Sequence, residues 1–83
     1  MTRVPISFDS AEQIEAFVDT ITPFDYDFDL EDTHYTVDAR SIQGIYTLDF
    51  EETMFILTIH CNDESKTAKI IEALNPFIPD SDK

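Results

Sequence analysis

The segment from Asp25 to Leu30 constrains the fold most, because its acidic and apolar residues alternate strictly. The acids occupy positions 25, 27 and 29, and the apolar residues occupy positions 26, 28 and 30. Successive side chains of a strand point to opposite faces, so this pattern predicts a β-strand with one wet face and one buried face. A sheet of such strands needs a second layer on its buried side only.

An amphipathic helix ahead of this strand can supply that layer. Its apolar residues recur at intervals of three and four positions, at Ile14, Phe17, Val18 and Ile21. Ser10 with Gln13 forms a capping-box pattern, and so does Asp9 with Glu12, which places the helix N-terminus here. Pro23 is expected to end the helix.

The remaining elements alternate in type along the chain. We predict further strands over residues 4–8, 33–37 and 54–59, a short helix over 41–48, and a last helix that begins at Asn62 or Asp63 and ends at Pro76. Pro5 lacks a backbone donor, which favours an edge position for the first strand.

The order β-α-β-β-α-β-α predicts one α+β domain over residues 1–78. Four strands are expected to form a mostly antiparallel sheet with three helices on one face. Residues 79–83 are expected to be a frayed tail.

The charge is strongly acidic, with 18 acidic residues against 5 basic ones and a net charge of −13. Such a surface repels nucleic-acid phosphates and anionic lipid, so neither nucleic acid nor membrane is an expected partner. The charge serves solubility or selects a basic partner, and both alternatives stay open. A single cysteine and no signal-peptide pattern at the N-terminus predict a cytoplasmic protein.

The aspartates at 25, 27 and 29 have the spacing that begins an EF-hand calcium loop. The sixth and twelfth positions of that loop require glycine and glutamate, and here they are Leu30 and Thr36. Strand alternation explains the same aspartates without an ion, so no metal is expected.

The sequence predicts neither an enzyme nor a cofactor. His34 and His60 belong to no metal-ligand or catalytic pattern, and Cys61 would point to the opposite face of a strand from its neighbour His60. Gly44 is the sole glycine, which excludes a glycine-rich phosphate loop.

The segment Val37–Leu48, VDARSIQGIYTL, resembles a segment of the HPr phosphocarrier family with the form V-x-A-K-S-I-x-G-I-x-x-L. Asn62-Asp63-Glu64 and Ala68 are similar to the family's acidic start to the last helix. The resemblance is good from residue 37 to 74 and weaker from 4 to 30. It implies the HPr-like open-faced β-sandwich.

The same resemblance implies that the phosphocarrier site is degenerate. In the family, a histidine at the start of the first helix accepts phosphate and an arginine two residues later helps to hold it. An alignment anchored on Phe17-Val18 puts Ser10 at the histidine and Glu12 at the arginine. Asp9 and Glu15 add like charge, which opposes a phosphate there.

Ser41 aligns with a serine that a dedicated ATP-dependent kinase phosphorylates in part of the family. Free amides and the dipole at a helix start favour an added phosphate, and Arg40 is the local cation. The partner-docking residues are then Arg40, Ile42, Ile45 and Tyr46, although Gln43 and Tyr46 differ from the family's usual apolar residues. We expect Ser41 to be exposed, with Ile42 and Ile45 partly accessible. A plain N-cap role for Ser41 stays open.

The chain is therefore most similar to HPr paralogues that lost the histidine, kept the serine and regulate carbon use. Its function is expected to be regulatory and non-catalytic, with an HPr kinase/phosphorylase-like enzyme or a regulator as protein partner. Two alternatives remain: a phosphocarrier that uses another residue, and an interaction domain of an unrelated pathway that keeps the fold.

Overall fold

Four strands and three α-helices follow one another in the predicted order β-α-β-β-α-β-α. The computed structural model describes residues 1–48 and 54–79. Its elements are β1 (Thr2–Ile6), α1 (Ala11–Ile21), β2 (Asp27–Glu31), β3 (Thr36–Asp38), α2 (Ile42–Ile45), β4 (Phe55–His60), α3 (Glu64–Ala73) and a 3-10 turn (Asn75–Phe77). The α+β fold with a four-stranded sheet is confirmed.

The sheet has the order β1-β4-β2-β3, and each of its three pairings is antiparallel. β4 and β2 are the two inner strands, and Leu57 of β4 faces Val4 on one side and Leu30 on the other. β1 is an edge strand within the described residues. Pro5 therefore lies where a missing backbone donor costs no ladder bond.

The helices cover one face of the sheet. The alternate strand residues that are buried form one apolar cluster with the stripe of α1, which confirms the predicted stripe. Phe17 lies at its centre, with ring centroids 5.3 Å from Phe8 and 5.8 Å from Phe77 in edge-to-face contacts. Burial of one such ring contributes about 1.5–3 kcal/mol to folding. Ile70 and Leu74 extend the cluster from α3.

Some element boundaries differ from the sequence prediction. β1 ends at Ile6, because the Ser7 amide donates to the Phe77 carbonyl at 2.8 Å and the chain leaves the sheet. β3 begins at Thr36, since Asp32 accepts hydrogen bonds from the amides of His34 and Tyr35 and so holds a turn.

The helix predicted over 41–48 is shorter, and only Ile42–Ile45 is α-helical. Its last bonds span three residues, from Thr47 to Gly44 and from Leu48 to Ile45, which is the geometry of a tight turn.

The predicted break at residues 51–52 lies outside the described residues, and so does the predicted tail beyond residue 79. Among the helices that the structure describes, none is long and apolar enough to cross a membrane.

Candidate docking site around Ser10 and Ser41

The first turn of α1 is closed by a reciprocal cap. Ser10 is the N-cap, and its Oγ accepts a hydrogen bond from the Gln13 amide at 3.3 Å. Gln13 Oε1 in turn accepts from the Asp9 amide at 2.7 Å. The capping pattern around Ser10 is therefore present, with the return bond directed one residue earlier than in the standard box. Glu12 and Glu15 are exposed beside it.

The two histidines lie elsewhere. His60 is the last residue of β4 and lies opposite Asp27. The end of β1, which leads into α1, lies opposite Phe55, the first residue of β4. Five strand residues separate the two places, which is roughly 17 Å. On the face away from the helices, His60 Nε2 lies 2.8 Å from Asp29 Oδ2. His34 is exposed in the turn between β2 and β3.

Ser41 is the N-cap of α2, next to the first helical turn as predicted. Its Oγ accepts from the Gly44 amide at 3.0 Å, and the residue is half-buried rather than fully exposed. A Cβ at position 44 would lie 3.2 Å from Ser41 Oγ and 3.4 Å from Val37 Cβ. An added Cβ would require Ser41 Oγ to shift by a few tenths of an ångström, and that oxygen is the acceptor of the Gly44 amide.

The expectation that Ile45 is partly accessible is wrong. Ile45 is 0% exposed and belongs to the apolar core, because the short helix turns this residue toward the sheet. Ile42 is half-buried against the core, and Tyr46 is 48% exposed. The exposed apolar surface of α2 is therefore centred on Tyr46.

Arg40 does not present a free guanidinium beside Ser41. Its Nη2 donates to the carbonyl oxygen of Phe24, and the guanidinium carbon lies 5.4 Å from the centroid of the Phe28 ring. The side chain thus holds the chain ahead of β2 against the end of β3.

The structure brings Ser10 and Tyr46 together. Both line a shallow cavity of about 300 Å³. We call this surface the docking face; its residues are Phe8, Asp9, Ser10, Ala11, Ile14 and Tyr46. Sequence reasoning missed Phe8 and Ala11, and only the proximity of each to Ser10 in the sequence could have indicated them.

The docking face offers apolar contact and a hydroxyl, surrounded by carboxylates. Within residues 1–48 and 54–79, no group of three or more His, Cys, Asp or Glu side chains is arranged to hold a metal ion.

The sheet order, the antiparallel pairings and the single helical layer define an HPr-like open-faced β-sandwich. The chain is similar in structure to the crystal structure of HPr-C-His from Thermoanaerobacter tengcongensis, with a TM-score of 0.73 and 27% sequence identity. The match covers 94% of this chain and 91% of the HPr chain. No protein-family model and no curated protein matches the sequence. The predicted HPr-like fold is confirmed, and the protein is related in fold to phosphocarriers.

Proposed function

We propose that this protein is a non-catalytic, cytoplasmic regulator that binds a protein partner through the docking face. One observation carries the proposal. The first turn of α1 holds a capping serine and an exposed Glu12, with no histidine, while Tyr46 keeps an apolar surface beside it. An HPr-like protein with this site can still bind, although the acceptor of the resembled phosphocarriers is missing.

Local charge supports the loss of phosphate transfer at this site. Asp9, Glu12 and Glu15 are exposed around the first turn of α1, and a phosphate there would add like charge to theirs. A partner that fits this face therefore complements carboxylates and an aromatic side chain.

Ser41 is the position at which we propose that binding is controlled. Its hydroxyl oxygen accepts from the Gly44 amide at 3.0 Å, and the same oxygen is the atom that a kinase would phosphorylate. Phosphorylation adds about −1.5 to −2 charges. In the chain this charge would stand five residues before Tyr46, at the start of the helix that carries the exposed aromatic ring. The modification would add negative charge close in the chain to Tyr46 of the docking face.

The test is incubation with an HPr kinase and ATP, followed by mass spectrometry. The wild type is expected to gain one phosphate, and Ser41→Ala is expected to gain none. Ser10→Ala is the matched control, because it also removes an N-cap serine from a helix start, and it should be modified like the wild type. An unmodified wild type, or equal modification of wild type and Ser41→Ala, contradicts control at Ser41.

One observation favours the alternative of a phosphocarrier that uses another residue. The His60 ring is held by Asp29 at 2.8 Å and is accessible, an arrangement that orients an imidazole for proton or phosphate chemistry. Incubation with phosphoenolpyruvate and the general upstream enzyme separates the two functions. We expect no acid-labile phosphate, whereas stoichiometric acid-labile phosphate that is lost in His60→Gln would replace the regulatory proposal.

A further inference from the structure

A second cleft lies between α3 and the connection from α1 to β2. It has a volume of about 520 Å³, larger than the cavity of the docking face. One wall is made by four consecutive residues, 23–26, and the other by Lys66 and Lys69. The connection follows the C-terminal end of α1, whereas Ser10 of the docking face lies at the N-terminal end of that helix. The eleven residues of α1 therefore separate this cleft from the docking face.

The cleft holds two lysines, Lys66 and Lys69, that make no ion pair within the part of the chain that the structure describes. Arg3 is paired with Glu31 at 3.2 Å, and Arg40 donates to the Phe24 carbonyl. Among the described residues, neither Lys66 nor Lys69 has a carboxylate oxygen within 4 Å. They stand one helical turn apart, where like charges repel each other. Asp25 lines the same cleft, so one carboxylate stands against the two ammonium groups.

Neighbouring contacts fix the shape of the cleft. At the base of α3, Cys61 and Thr67 are buried, and the Cys61 thiol donates to the Asp63 carbonyl at 3.6 Å. On the other wall, Arg40 holds the Phe24 backbone through its carbonyl. A site that is held in place before binding loses less conformational entropy when a ligand enters.

From these contacts we propose that the cleft binds a small phosphate monoester. Lys66 and Lys69 are close enough on one helix face for both ammonium groups to bind one dianion, and the Tyr26 hydroxyl lies beside them. The organic part of the ligand packs on Pro23 and Phe24, the apolar portion of the wall. The two ammonium groups outnumber the carboxylate of Asp25 in the lining of the cleft. Salt screens the exposed carboxylates that lie more than about 8 Å away at physiological ionic strength.

The test is a titration of the protein with phenyl phosphate, followed by amide chemical shifts in NMR spectra. Saturable shifts are expected at Tyr26, Lys66 and Lys69, with a Kd of about 1–10 mM, and none at the docking face. Inorganic phosphate should bind more weakly, because it lacks the apolar part, and phenol should not bind, because it lacks the charge.

Two variants and a control decide the assignment. Lys66→Gln and Lys69→Gln should each weaken phenyl phosphate binding roughly tenfold, since each removes one charge-assisted hydrogen bond. Arg3→Gln removes the same charge at a distance and should bind like the wild type. The proposal is overturned by unsaturable shifts, by equal losses in all three variants, or by inorganic phosphate binding as tightly as phenyl phosphate. None of these results bears on phosphorylation of Ser41, so the two proposals fail independently.

Discussion

Arg40 and Phe24 are joined by a hydrogen bond from the Arg40 Nη2 to the Phe24 carbonyl oxygen, across sixteen residues of chain. The same guanidinium lies 5.4 Å from the centre of the Phe28 ring. A planar guanidinium can make both contacts together, whereas an ammonium group cannot. Arg40 therefore fastens the connection ahead of β2 to the segment that leads into α2.

Replacement of this arginine by lysine should destabilise the protein despite the conserved charge. Arg40→Lys loses the stacking on Phe28 and the planar hydrogen-bond geometry, and the free energy of unfolding should fall by about 1–2 kcal/mol. Urea denaturation measures it. Arg3→Lys is the control, because its exposed pair with Glu31 should change stability by less than about 0.5 kcal/mol. Equal effects of the two substitutions would contradict a structural role for Arg40.

The Ser41 cap gives a second stability prediction. Ser41→Ala removes the acceptor of the Gly44 amide and should lower the free energy of unfolding by about 0.5–1 kcal/mol, at the low end for a cap because α2 is a single turn. Ser41→Asp keeps an acceptor at the N-cap and should be close to the wild type in urea denaturation. A loss in Ser41→Asp as large as in Ser41→Ala would show that the serine is needed for another contact.

Local signals in the sequence predict much of this fold. Three of these signals depend only on residues that are close in the sequence: the apolar stripe of α1, its cap at Ser10 and the alternation in β2. Such patterns constrain secondary structure directly. β4 is predictable as a strand as well, because its sequence FILTIH is a short apolar run, which is typical of a buried strand.

The candidate site is less predictable, because it depends on contacts between distant residues. Ile42 and Ile45 look equivalent in the sequence, yet Ile45 is in the core and Ile42 is half-buried, since a one-turn helix has no second turn to fix its apolar face. The bond from Arg40 to Phe24 is to a backbone carbonyl, and no side-chain pattern encodes such a partner.

Like charges face each other on the open side of the sheet. Asp29 lies directly opposite Asp38 across β2 and β3, and such pairs are destabilising in a sheet. Asp38→Asn keeps the side-chain oxygen that accepts from the Arg40 amide and removes one charge. The free energy of unfolding should rise by about 0.2–1 kcal/mol.

Salt should act on the same repulsion. We expect the melting temperature of the wild type to rise between low and moderate sodium chloride, since salt screens the excess of carboxylates, and the rise should be smaller in Asp38→Asn. Glu15→Gln, which removes a charge from an exposed site on α1, is the control. A wild-type melting temperature that falls or stays constant would contradict the expected repulsion.

Asp63 gives stability a pH dependence that can be isolated. Its Oδ1 accepts from the Ser65 hydroxyl at 2.9 Å and from the amides of Ser65 and Lys66 at 3.0 and 3.3 Å. The Ser65 side chain, followed by the Lys66 amide, holds the pKa of Asp63 below its ordinary value of 3.8. Because the folded pKa is the lower one, the stabilisation is fully present above pH 3.8 and is lost as the pH falls through the folded pKa.

Comparison with Asp63→Asn tests this dependence, because asparagine caps a helix without titrating. The wild type should be the more stable protein at neutral pH, by a margin in urea denaturation that stays constant down to about pH 5 and then shrinks in more acidic solution. Ser10→Ala is the control, since it removes a neutral cap and its margin should not depend on that titration. If the difference in stability between the wild type and Asp63→Asn persists unchanged into strong acid, then ionisation of Asp63 does not stabilise the folded protein.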